Sequence, residues 1–163
     1  MLNRVLVPLD GSELAEKALP EAQRIVAPGG EIVLLAAVDP PEYLSYSLYG
    51  TQPVPPQAMA TRGEPDFLSV SKDMTSQSHA YLERVAADLR QAGFTVRPVV
   101  EMGPPAEMII KAAEEHRADA VVMCTHGRSG LSRWILGSVT NKVLSAAPCP
   151  VFVIPPQREH PQG

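Results

Sequence analysis

The chain has 163 residues, 45% apolar and 20% charged, and its 14 Lys and Arg against 18 Asp and Glu leave a formal charge of −4. That is the size and composition of one globular domain, and it excludes both a disordered chain and a protein that holds nucleic acid by bulk positive charge. No apolar run approaches the ~20 residues of a membrane span, and Met1-Leu2-Asn3-Arg4 leads into a strand-like stretch without a signal-peptide layout, so a cytoplasmic protein with no membrane or nucleic-acid partner is expected.

Val5-Leu6-Val7 is a short β-branched run ended by Pro8, and Asp10-Gly11-Ser12 supplies a turn and an N-cap. Leu14, Ala18, Leu19, Ala22, Ile25 and Val26 then recur at helical spacing as far as Pro28-Gly29-Gly30, with Pro20 expected to kink the helix or displace one backbone bond. Ile32 to Val38 is continuously apolar, the pattern of a central parallel strand covered on both faces.

From Asp39 to about Gln77 periodicity disappears. Six prolines, Gly50, Gly63 and three of the four tyrosines fall there, so an insertion over about 40–77 is predicted, too long for an ordinary connection. Tyr43, Tyr46 and Tyr49, spaced by three, fit a helical turn, a lid or an irregular loop.

Leu82, Val85, Ala86 and Leu89 restore a helical face that Gly93 stops as a C′ residue. Phe94 to Val100 alternates as a strand. Gly103-Pro104-Pro105 starts a helix carried by Met108, Ile109, Ala112 and Ala113 to about Arg117. Ala120 to Met123 is a fourth strand, Val139, Val143 and Leu144 mark a helix, and Pro148 and Pro150 fence off a last strand, Val151 to Ile154. Strands alternating with helices predict an α/β domain of three layers: a five-stranded, mainly parallel open sheet with helices on both faces, spanning 1–155, with a flexible tail at 156–163. Of the 17 prolines, about twice the ordinary share, nearly all then fall at boundaries or in the insertion, and Pro20 alone breaks the rule.

In such sheets ligands bind beyond the carboxyl ends of the strands, where strand order reverses. After the first strand stand Pro8, Leu9, Asp10 and Ser12. After the fourth stand Cys124, Thr125, His126, Gly127, Arg128, Ser129 and Gly130, and Gly137-Ser138 then opens a helix whose N–H groups and dipole favour an anion. A phosphate cradle and a structural Gly/Ser-rich loop are equally good readings of these residues. Neither a Walker loop nor a G-x-G-x-x-G dinucleotide fingerprint is present. Asp10 also fits a turn that caps a helix, His126 a structural histidine, Arg133 a solvated charge and Trp134 a packing anchor. Cys124 and Cys149 are too few for a metal cage or a disulfide framework and read as small buried side chains.

The stretch from Val122 to Thr140, with Gly127, the nine residues Arg128 to Leu136, and Gly137-Ser138, resembles the G-x2-G-x9-G-[ST] signature of the ATP-binding branch of the universal stress protein family. Val5 to Ser12, Gly103 to Ala106 and Pro148 to Ile154 resemble that family's first strand and turn, third-helix entry and final strand. The chain departs from the signature at its first glycine, which is Cys124 here and adds a side chain where a nucleotide would lie.

The resemblance implies a Rossmann-like, adenine nucleotide alpha hydrolase-like fold with strand order 3-2-1-4-5. It implies an ATP site in which Pro8, Leu9 and Asp10 border the adenosine and Ala37 offers backbone groups to the adenine edge. Cys124 and His126 would flank the site, Gly127, Arg128, Ser129 and Gly130 would wrap the phosphates, and Gly137, Ser138, Val139 and Thr140 would donate from the helix start. Mg2+ would ride on the phosphates, since no all-protein metal site is visible. A homodimer through Val151, Phe152, Val153 and Ile154 is also implied, and an apolar edge strand gives an independent reason to expect a partner.

The leading expectation is therefore a nucleotide-dependent stress-response or signalling module. The alternatives are a slow ATPase, a receiver-like signalling domain and a relative that works through protein contacts alone. No Walker lysine, general base or paired carboxylates accompany the loop, which argues against efficient phosphoryl chemistry. A receiver-like domain would need an acidic pair after the first strand, where only Asp10 stands, and a lysine before the helix after the fifth strand, which is missing.

Overall fold

In the computed structural model, which describes residues 1–39, 67–125 and 136–155, the chain opens with strand β1 (Leu2–Pro8). Two short helices follow, α1 (Glu13–Glu16) and α2 (Ala18–Ile25), and then β2 (Val26–Val38). Helix α3 (Phe67–Gln91), β3 (Thr95–Met102), α4 (Pro105–Glu115), β4 (Ala120–Cys124), α5 (Ser138–Ala146) and β5 (Val151–Ile154) complete the order.

The five strands form one sheet in the order β3-β2-β1-β4-β5, every pair parallel. Alternation along the strands divides the core. Val5, Val7, Ile32 and Leu34 face α1, α2 and α3, where they meet Ala15, Ala18, Ala22, Leu82, Ala86 and Leu89. Leu6, Val33, Leu35, Val121 and Met123 face α4 and α5, against Ile109, Ala112, Ala113 and Val143. Because both faces are covered, the central strands are apolar throughout, as a parallel sheet requires.

Three boundaries differ from the sequence expectation. The first helix is two helices, broken at Lys17, so Pro20 is the third residue of α2. The N–H that Pro20 lacks would have bonded the Glu16 carbonyl across that break, so the displaced backbone bond expected of Pro20 is found where the two helices meet. Pro20 thus marks a boundary after all, while Pro28 and Pro98 lie inside β2 and β3 and are the prolines that depart from the rule.

The second difference is that Val26, expected to close that helix, begins β2, and Pro28-Gly29-Gly30 lie inside the strand. The register jumps from Leu2↔Val26 to Arg4↔Glu31, so extra β2 residues bulge opposite β1. Gly29 takes φ +80°, and a Cβ on Gly30 would stand 2.7 Å from the Asn3 carbonyl oxygen. Glycine is what lets the bulge close.

The third is that the insertion expected to reach about Gln77 cannot do so, because α3 already begins at Phe67. Its inward positions in this stretch are Ser71, Thr75 and Ser78, which continue the face of Leu82, Val85 and Leu89 with hydroxyls. The helical period is present but carries no hydrophobic signal. The tyrosines at 43, 46 and 49 and the tail at 156–163 lie outside the described residues.

Helix ends follow the expected chemistry. Gly93 takes φ +93°, with its N–H donating to the Arg90 carbonyl and the Phe94 N–H to that of Leu89. This is a Schellman closure. The same bonds close α4, from Arg117 to Glu114 and from Ala118 to Ala113, but the left-handed residue is Arg117 at φ 51°.

At the amino end of the sheet, Glu31 accepts from Arg4 Nε at 2.6 Å and Arg97 Nε at 2.8 Å, tying β1, β2 and β3 together. Asp119 accepts the backbone N–H groups of Asn3 and Arg4. The charged clamps thus sit opposite the end where strand tips meet helix starts.

Candidate functional site

Strand order reverses between β1 and β4, and there the carboxyl ends of the strands splay around a cleft of about 160 Å³. Pro8, Leu9 and Asp10 come from the end of β1, Leu35 and Ala37 from β2, and Met123 and Cys124 from β4. Ala15 of α1, Pro105 and Ile109 of α4, and Val139 and Thr140 of α5 complete the wall. The cleft is mainly apolar with a few polar groups at its rim, the character of a small-molecule site.

Asp10 is held by its own turn. Its Oδ1 accepts the Ser12 backbone N–H at 3.0 Å and the Ser12 hydroxyl at 2.6 Å, while Ser12 Oγ accepts the Ala15 N–H and caps α1. Gly11 supplies the positive φ, +83°, that this tight turn needs. The capping reading and the cleft reading of Asp10 therefore coexist, since the turn is what holds the carboxylate at the rim.

Ala37 presents backbone rather than side chain. The Leu9 N–H donates to the Leu35 carbonyl at 2.8 Å, and alternate residues of a parallel strand face the same neighbour. Ala37 thus turns its own N–H and C=O toward the β1 side, past the last register pair, Pro8↔Leu35. A donor and an acceptor stand side by side there at the cleft.

On the opposite wall Cys124 is buried. Burial pushes its thiol up from the ordinary value, with the Lys17 charge opposing, so it is a neutral S–H at neutral pH. Thr140, 2% exposed, is a buried hydroxyl residue in the first turn of α5. Gly137 is the N-cap of that helix and Ser138 its first residue, both next to the cleft wall in sequence but outside its lining. His126, Gly127, Arg128, Ser129 and Gly130 lie outside the described residues.

Seven expected site residues thus converge: Pro8, Leu9, Asp10, Ala37, Cys124, Val139 and Thr140. Sequence reasoning missed Ala15, Leu35, Pro105, Ile109 and Met123. Ala15, Leu35, Ile109 and Met123 carry a core-like signal, because the same apolar side chain serves core packing below and the cleft wall above. Only Pro105 had a usable cue, as a helix start directly after a strand. Among the described residues no cluster of three or more His, Cys, Asp or Glu is arranged to hold a metal ion, and no helix is long and apolar enough to cross a membrane.

The profile of the universal stress protein family matches residues 1–155. The chain belongs to that family. A similar relative is universal stress protein MJ0577 of Methanocaldococcus jannaschii, 29% identical over 156 residues that cover 94% of this chain and 95% of the relative. The solved structure of MJ0577 superposes with a TM-score of 0.71 at 25% identity, covering 97% and 98% of the two chains.

Two further universal stress protein structures share the fold. One, solved in complex with cAMP, has a TM-score of 0.62 at 20% identity and covers 96% and 98% of the chains. The other, from Arabidopsis thaliana with AMP bound, has a TM-score of 0.62 at 16% identity and covers 96% and 94%. The Rossmann-like architecture read from this family member's sequence is the one these proteins share.

Proposed function

We propose that this universal stress protein binds ATP in the cleft between β1 and β4 and serves as a nucleotide-dependent stress-response or signalling module in the cytoplasm. The observation that carries the reading is the cleft's layout: an apolar slot, a backbone donor and acceptor at Ala37, the Asp10 carboxylate, and the start of α5. A donor beside an acceptor suits the adenine edge, whose ring nitrogen accepts and whose amino group donates. Asp10 suits ribose hydroxyls, which donate to a carboxylate. The N-terminus of α5 and the Thr140 hydroxyl suit phosphate oxygens.

The glycine-spaced motif around Gly127 supplies the remaining phosphate contacts in this reading, and Mg2+ enters on the phosphates rather than through protein ligands. Relatives of the same fold solved with cAMP and AMP support an adenine nucleotide as the ligand class.

The two edges of the sheet support the homodimer. At the β3 edge, Pro98 sits mid-strand between Arg97 and Glu101, which blunts pairing with another chain. The β5 edge, Val151–Ile154, has neither proline nor charge, and Phe152 is 44% exposed on it. A second copy paired along β5 would cover this strip.

The deciding experiment is calorimetry with ATP and Mg2+ on the wild type and on Gly127→Val, chosen from the motif. Binding by the wild type and its loss in the variant are expected. A wild type with no affinity at millimolar ATP overturns the reading.

A further inference from the structure

The nucleotide reading uses the cleft wall but leaves Tyr81 of α3 without a role. Its hydroxyl donates to Glu16 Oε1 at 2.9 Å, and the Arg84 guanidinium lies 5.5 Å from its ring centroid, within cation–π range. Glu16 is the last residue of α1, a helix of one turn. A single turn fixes more backbone freedom than its own hydrogen bonds repay, so its position is set by what holds it from outside.

At its start, α1 is held by Ser12, itself held by Asp10 at the cleft rim. In its middle, Ala15 is part of the cleft wall. At its end the bond to Tyr81 ties it to α3, whose inward face is anchored in the core by Leu82, Val85 and Ala86. The cleft side of α1 and the α3 side are the two ends of one short bridge.

We propose that Tyr81 is a positioning residue for the nucleotide site, anchoring α1 through Glu16 and so fixing the Asp10–Ser12 turn and the Ala15 wall in the geometry that receives the ligand. Burial first, then the Glu16 bond and the Glu16 and Asp10 charges, push the Tyr81 hydroxyl well above the usual tyrosine range, so it stays a protonated donor at every physiological pH. The proposal rests on the nucleotide reading for its ligand and on the α1 contacts for its geometry, and the two can be tested apart.

Tyr81→Phe keeps the ring and removes only the donor. In the unliganded variant the amides of Ala15, Glu16 and Lys17, bonded within this turn, are expected to exchange about tenfold faster while those of α4 stay unchanged. Its Kd for ATP is expected to rise about fivefold. Glu16→Ala should reproduce both effects, the double variant should be no worse than the worse single one, and Glu16→Gln, which retains an acceptor oxygen, should stay within about twofold of wild type.

Unchanged exchange at Ala15 to Lys17 in Tyr81→Phe overturns the proposal, and so does faster exchange with ATP affinity unmoved. If the wild type binds no ATP, the nucleotide reading falls, and amide exchange still decides whether Tyr81 positions the turn.

Discussion

Replacing Glu31 by glutamine removes a charge, but little volume, from the point where β1, β2 and β3 are tied together. The Glu31 side chain is 14% exposed and accepts from Arg4, 38% exposed, and Arg97, 55% exposed. Hydrogen bonds to charged groups contribute about 1.5–3 kcal/mol when well shielded, and exposed ion pairs about 0–1 kcal/mol. With a shielded acceptor and half-exposed donors, each bond falls near the boundary, and the substitution is expected to cost about 1–2 kcal/mol at pH 7.

The pH dependence has a definite sign. Burial alone would raise the Glu31 pKa, but the bonds and charges of Arg97 and Arg4 outweigh it and hold the carboxyl below its ordinary value. The contribution is therefore complete above the unfolded-state pKa of about 4.3 and is lost as pH falls through the lower folded-state value. Urea denaturation of wild type and Glu31→Gln at pH 7, 5, 4 and 3 should give a stability gap that is constant down to about pH 5 and shrinks below about pH 4. A gap that stays constant or widens in acid refutes the assignment. Because Glu31 lies at the amino end of the sheet, the variant should also bind ATP with wild-type affinity at pH 7.

Three further outcomes are expected. Arg117→Gly relieves a side chain held at φ 51° on the surface and should raise stability by up to about 1 kcal/mol, measured by chemical denaturation; a loss would show that the Arg117 side chain makes a stabilising contact. Cys124→Gly deepens the cleft and should tighten ATP binding in calorimetry while lowering stability by ~1–2 kcal/mol, and an equal or weaker affinity would show that the thiol does not intrude on the ligand. Phe152→Lys should convert a dimer into a monomer in sedimentation experiments without lowering monomer stability, since the side chain is already 44% exposed; a variant that stays dimeric excludes β5 as the interface.

How far the site could be read from sequence depended on which atoms did the work. Asp10 and Thr140 stand directly after a strand and at a helix start, positions where side-chain chemistry is visible in the letters. Ala37 contributes through its backbone N–H and C=O, which every non-proline residue has, and only the family resemblance pointed to it. Leu35, Ile109 and Met123 look like core because they are core, and only the splaying of strands at the β1/β4 reversal exposes their ends to the cleft. Likewise Ser71, Thr75 and Ser78 hid the start of α3, since a helix face made of hydroxyls carries no hydrophobic period.

The sequence by itself determined the alternation of strands and helices, the two-sided burial of the sheet and the family, because periodicity, caps and spaced glycines are local properties written in adjacent residues. Only the tertiary structure decided that Pro28-Gly29-Gly30 belongs to a strand and that Tyr81 meets Glu16 from 65 positions away. Those outcomes depend on what each segment packs against. A bulge opposite Asn3, a one-turn helix braced by a distant tyrosine and a cleft walled by three strands and three helices are all set by neighbours that no local window of the sequence contains.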